Sequence, residues 1–178
     1  MSRLRAHPRL ATFAVLVMLQ ALVIIGFVVR EERVRATGRE IVLKAMPVDP
    51  RDLLRGDYVI LGYEAQTLGT HLLHGPDVTV GERVYVTLER QDRYWVPTAY
   101  QAAASGKPSG AVYLTAIVGS RSSTGIRVDY PNLDRYYVPQ GTGNLPKPPD
   151  AFVIVDGDGN ARLARLEIDG VSWPPPKP

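Results

Sequence analysis

The chain has no cysteine, so neither a disulfide framework nor thiol chemistry is available to it, though any compartment remains open. It has no Gly-rich phosphate loop of P-loop or Rossmann spacing. Its first 29 residues carry no acid; they hold Arg3, Arg5 and Arg9, which account for the whole net charge of +3. The other 18 basic residues are matched by all 18 acids between residues 30 and 178, so the body of the chain is neutral. A nucleic-acid-binding domain would carry a basic excess on its folded part, and the counts show none there. At 178 residues the length suits one compact domain.

What is present first is a long apolar run. Leu10 to Val29 reads LATFAVLVMLQALVIIGFVV, without a charge and with Thr12 and Gln20 as its main polar interruptions. Twenty residues at about 1.5 Å each give a helix of about 30 Å, the thickness of a bilayer core. A secretory signal would have a shorter apolar stretch ending at a small-x-small site. This run exits into Arg30-Glu31-Glu32-Arg33, which favours an uncleaved single-pass anchor. Residues 1–9 then form a basic cytoplasmic tail, 10–29 the transmembrane anchor and 30–39 a charged stalk. Arg30, Arg33, Arg35 and Arg39 compete with the tail for the inside. Long domains translocate largely regardless of charge, so the short tail decides and the C-terminal domain is expected outside the cytoplasm, on the inner membrane.

Beyond the stalk the period becomes two. Glu40–Ala45, Tyr58–Tyr63, Arg83–Leu88, Tyr94–Val96, Ala111–Val118 and Gly125–Asp129 read as strands, rich in Val, Ile, Tyr and Thr and bounded by turn residues. AFVIV and ARLARLEI flank Asp156-Gly-Asp-Gly-Asn160, a hairpin signal. Asp49–Leu54 and Glu64–Leu73 are candidates for short helices. The expected fold is mainly β: one N-terminal transmembrane helix, then an antiparallel β-sandwich or partly open barrel over residues 40–170. Residues 171–178, ending Trp173-Pro-Pro-Pro-Lys-Pro178, read as a Pro-rich tail that cannot enter a sheet interior. Asp92-Arg-Tyr-Trp-Val-Pro97 and Asp134-Arg-Tyr-Tyr-Val-Pro139 repeat one phrase, read as one hairpin solution used twice. Its aromatic pairs, Tyr94 with Trp95 and Tyr136 with Tyr137, are the candidate ligand aromatics.

The most informative stretch is Met46 to Tyr63, MPVDPRDLLRGDYVILGY. Its prolines hold the chain extended, Asp49 can cap a short turn, and Gly56 lets the backbone swing into a strand at Tyr58. Asp57 can fix that corner through nearby backbone N–H groups. Val59, Leu61 and Tyr63 fall on one face of the strand, and Tyr58, Ile60 and Gly62 on the other. Gly56, Asp57, Tyr58, Leu61 and Tyr63 resemble the GDYXXLXY family of bacterial membrane-anchored proteins in every defining position. Pro47-x-Asp49-Pro50-Arg51, Arg135–Pro139 and Gly157–Ala161 are similar to it as well. The resemblance implies a membrane-anchored architecture without an established activity, and association with a multi-pass membrane protein.

Catalytic readings are weak. Type I signal peptidases also place a Gly-Asp motif after an anchor, but here Pro50 lies six residues before Gly56 where that pattern needs five. The nucleophile would fall near Pro47, which has no hydroxyl, and no lysine stands in the strand context of a general base. His71, His74 and Asp77 fall short of a zinc site, because two imidazoles leave a third ligand wanting. Asp156–Asn160 with Glu167 imitates a calcium loop, yet Ala161 stands where glycine is required and the flanks are strands. Arg55-Gly56-Asp57 and the carboxylates Asp49, Asp52 and Asp57 are better read as corner and cap. The expected function is a non-enzymatic accessory or partner-binding subunit of an integral membrane protein, with no catalytic residue, metal, cofactor or nucleic acid. Its partners are the lipid bilayer and a multi-pass membrane protein. Asp49, Arg51, Arg55, Gly56, Asp57, Tyr58, Leu61 and Tyr63 form the motif or partner site. The alternatives are a small-ligand-binding envelope domain, or an inactive relative of the signal-peptidase-like fold.

Overall fold

The structure, a computed structural model, describes residues 8–48, 58–139 and 145–175. The chain forms two units that divide between Thr37 and Gly38. The first is a single helix, α1 (Pro8–Thr37), of 30 residues. It runs through the stretch read as a charged stalk, so the helical part ends only two residues before the first strand. The charged residues Glu31-Glu32-Arg33 continue a helix readily, since all three are good helix formers. Among the described residues no helix is long and apolar enough to cross a membrane. The described apolar side chains of α1 run from Phe13 to Val29, short of the about 20 residues a span takes.

The second unit is built from eleven strands, and it is mainly β as the period-two pattern implies. They are β1 (Arg39–Val48), β2 (Tyr58–Tyr63), β3 (Thr67–Gly69), β4 (Arg83–Gln91), β5 (Tyr94–Ala102) and β6 (Val112–Arg121). They continue as β7 (Gly125–Asp129), β8 (Arg135–Tyr137), β9 (Asp150–Val155), β10 (Ala161–Ile168) and β11 (Val171–Trp173). One antiparallel sheet has the order β11-β10-β9-β1-β2-β8, and the other β3-β7-β6-β4-β5. A single buried cluster joins them, with Ile41 and Leu43 from β1, Val59 from β2, Val86 from β4, Leu114 from β6 and Val153 from β9. Strict alternation along β1 sends Ile41, Leu43 and Ala45 inward and leaves Glu40, Val42 and Lys44 on the opposite face.

Glu64–Leu73 is not one helix. It is two 3-10 turns, Glu64–Gln66 and Thr70–Leu72, around the short strand β3. Three residues of β-branched or apolar character between Gln66 and Thr70 find a partner in β7, and tertiary pairing overrides the local helical pattern. The segment expected to be a Pro-rich tail also contributes a strand. Asp169 and Gly170 both have positive φ, 53° and 80°, and turn Val171–Trp173 back onto β10 as an edge strand. The candidate helix Asp49–Leu54 lies outside the described residues.

Candidate functional site

The motif strand divides as its alternation requires. Val59, Leu61 and Tyr63 are buried, with Leu61 and Tyr63 each 2% exposed, while Tyr58 is half-buried. Tyr63 is therefore a core post. Its hydroxyl donates to the Leu133 carbonyl at 2.7 Å, and its backbone N–H donates to the buried Gln66 side chain at 3.1 Å. Tyr130 stands edge-on to it at 6.4 Å between ring centroids, and its own hydroxyl donates to the Ala65 carbonyl at 2.6 Å. Burial holds both phenols protonated far above the ordinary tyrosine range. Together they tie the β2 end to the loop before β8.

Tyr58 lies directly across from Tyr137, with ring centroids 6.2 Å apart. The Arg135 guanidinium sits 5.9 Å from the Tyr58 ring, and Tyr137 is 73% exposed. Tyr136, on the other face of β8, packs against the core. Asp49, Arg51, Arg55, Gly56 and Asp57 lie outside the described residues.

The repeated phrase serves two different ends. In the first copy Asp92, with φ of 53°, and Arg93 turn β4 into β5, with Gln91 opposite Tyr94. In the second copy Arg135–Tyr137 is a strand paired with β2, not half of a local hairpin, because its partner lies about 75 residues earlier. No ring contact joins the two aromatic pairs among the described residues.

The first copy closes over a built surface. Across β1, β9 and β10 the register aligns Val42 with Phe152 and Phe152 with Arg165, and sets Lys44, Asp150 and Glu167 in a second row. A bulge between Leu163 and Arg165 makes this possible. Without the extra residue, Arg165 would take the core-facing position; with it, Arg165 turns outward and Leu166 is fully buried. The Arg165 guanidinium lies 3.7 Å from the centroid of the Phe152 ring, a close cation–π contact, and Arg93 approaches the same ring at 5.9 Å.

Around Phe152 the charges alternate. Arg93 meets Asp150 at 3.0 Å and Glu167 at 3.3 Å. Arg165 meets Glu167 at 3.1 Å and takes both oxygens of Glu40, at 2.6 and 3.2 Å. The Tyr94 hydroxyl donates to Asp150 at 2.8 Å, and that bond, with burial second, raises the phenol above its ordinary range. Beside this network opens a cleft of about 510 Å³ lined by Arg39, Glu40, Val42, Arg90, Arg93, Trp95 and Phe152. Trp95 is the one sequence-derived candidate that lines it. The others were hidden because they come from three separate strands, β1, β4 and β9, and from the β4–β5 turn; only the Asp92–Trp95 phrase pointed there. Every carboxylate of the network, Glu40, Asp150 and Glu167, is bonded to a guanidinium.

The metal-like groupings resolve into local structure. Asp156 accepts hydrogen bonds from the backbone N–H groups of Asp158 and Asn160 and from the Asn160 amide, which locks the β9–β10 turn. Among the described residues no three metal-ligating side chains converge. No curated protein and no solved structure matches the chain. One family model does, over residues 20–166, a span that takes in the C-terminal part of α1, β1 to β9 with the motif strand among them, and most of β10. The chain belongs to the family of GDYXXLXY proteins.

Proposed function

We propose that this is a non-enzymatic, single-pass membrane protein whose β unit lies outside the cytoplasm and serves as a partner-binding subunit beside an integral membrane protein. The observation that carries the reading is the surface of α1. All thirteen large apolar side chains from Phe13 to Val29 are exposed, 45–66% each, on every side of the helix. Transfer of each from water into an apolar medium is worth about 1.5–3 kcal/mol, on the order of 20 kcal/mol together, so something must cover them. The uncharged sequence begins at Leu10, three residues before Phe13, which brings the run to the length a bilayer requires. Arg3, Arg5 and Arg9 support an inward N-terminus.

For partner contact, the exposed Tyr137 with Tyr58 and Arg135 replaces the buried Leu61 and Tyr63 as the favoured surface of the motif region. Alkaline carbonate extraction of membranes tests the anchor, because a helix covered only by another copy is released and a bilayer-spanning one is retained. Protease protection of the β unit in intact inverted vesicles, and exposure in right-side-out ones, tests its side. Migration as a lone monomer after purification in mild detergent would remove the partner claim.

A further inference from the structure

We propose that the cleft at the β4–β5 tip is a binding site for a phosphate group, carried either by a soluble small molecule or by a lipid headgroup. Its volume of about 510 Å³ falls within the range of small-ligand sites, about 300–1,000 Å³. Three guanidinium groups and one carboxylate line it, a net charge of +2. Counting the bonded carboxylates lowers this: Arg93 and Arg165 face Asp150, Glu167 and Glu40, a net −1, so with Arg39 and Arg90 the excess is +1. Arg93 is held by Asp150 and Glu167, and Glu40 is held by Arg165, which leaves Arg39 and Arg90 without a carboxylate among the described residues. The three terminal oxygens of a phosphate monoester can accept from both of these guanidinium groups at once, which the two oxygens of a single carboxylate do less well.

The arginines are also arranged for it. The Arg90 Nε donates to the Asp92 carbonyl at 2.8 Å, which fixes the guanidinium by one edge and leaves its terminal nitrogens for a ligand. Planar guanidinium forks take phosphate oxygens two at a time. Arg93 is positioned by two carboxylates and by the Phe152 ring, so little ordering remains to be done on binding. Trp95, Val42 and Phe152 supply an apolar wall for the body that bears the phosphate. The site depends only on the β unit and stands whether or not α1 crosses a bilayer.

Isothermal titration calorimetry at low salt, on the full chain in a neutral maltoside detergent, tests it with three probes: inorganic phosphate, glycerol 3-phosphate, and phosphatidylglycerol doped into the micelles. Saturable one-to-one binding of at least one probe is expected. It should weaken at least about tenfold in Arg90→Gln and further in Arg39→Gln/Arg90→Gln, since a hydrogen bond to a charged group is worth about a factor of ten or more. Arg90→Lys, which keeps the charge and loses the fork, should fall between, and far-UV dichroism should be unchanged in all three variants. Response to glycerol 3-phosphate but not the lipid assigns a soluble ligand; the reverse assigns a headgroup. No saturable heat with any probe, or equal binding by the folded Arg39→Gln/Arg90→Gln variant, overturns the proposal.

Discussion

Tyr63→Phe removes one oxygen from the last position of the motif and separates a structural role from a recognition role. The ring stays, and so does its edge-on contact with Tyr130. What is lost is the hydrogen bond to the Leu133 carbonyl at 2.7 Å, in a site where the residue is 2% exposed and water cannot replace it. Orphaning a buried carbonyl costs about 1–3 kcal/mol. For a unit of this size that lowers the midpoint of thermal unfolding by about 3 °C per kcal/mol. The same phenol gives a pH signature. Burial raises the Tyr63 pKa far above its unfolded value, so the fold retains the proton while the unfolded chain loses it. The stabilisation is therefore complete below about pH 10 and declines as pH rises above it, by about 1.4 kcal/mol per pH unit for each such group. Tyr130, fully buried, contributes the same decline in both proteins. Wild type therefore loses one share more than the variant, the other raised tyrosines being common to both. The stability gap seen at pH 8 should accordingly narrow between pH 10 and 11 by about the share of one group. Urea unfolding followed by tryptophan fluorescence, at pH 8 and 11, measures it. A variant with wild-type stability at pH 8, or a gap that stays constant with pH, would refute the reasoning.

Gly125→Ala should destabilise by more than about 2 kcal/mol, because a Cβ at that position runs into the Leu68 carbonyl across β3 and β7; loss of the β3 amide protection in hydrogen exchange would locate the damage. Phe152→Ala removes the ring that both Arg93 and Arg165 face and should cost about 3–5 kcal/mol in denaturant unfolding, whereas Tyr137→Ala, on an exposed ring, should stay within about 0.5 kcal/mol. Leu19→Arg puts a charge near the middle of the apolar run, at about 3 kcal/mol for insertion, and should move the protein into the carbonate-soluble fraction if α1 spans a bilayer.

Local signals carried the strands well. The residues Asp156–Asn160 predict a hairpin, and the chain reverses there between Val155 and Ala161. Gly125–Asp129 and Tyr58–Tyr63 coincide with their strands. The face shared by Val59, Leu61 and Tyr63 was also legible, since period two needs no partner to be read. What period two cannot say is which face is buried around a tyrosine. Tyr63 is satisfied by a carbonyl 70 residues away, and nothing near it in sequence announces that bond. Asp169-Gly170 is a strong local turn signal, but the prolines after Trp173 drew the boundary too early. The outward position of Arg165 depends on one extra residue in β10, and a bulge has no reliable signature in a polar-apolar alternation. The cleft required the pairing of β1 with β9 and the reach of the β4–β5 tip, which are long-range facts by nature.

The position of β1 constrains the order of events during biosynthesis. It is the first strand to be made, yet it sits inside the larger sheet, with β2 on one side and β9 on the other. Its β9 partner, Asp150–Val155, is synthesised about a hundred residues later. At roughly 5–20 residues per second, β1 waits about 5 to 20 s with one edge open. During that interval Ile41, Val42 and Leu43 present an apolar, unpaired strand edge directly after α1. A nascent chain stalled before Asp150 therefore exposes a ready template for wrong pairing. Until β9 emerges, the β unit depends on whatever shields that edge, or on the speed of its own completion.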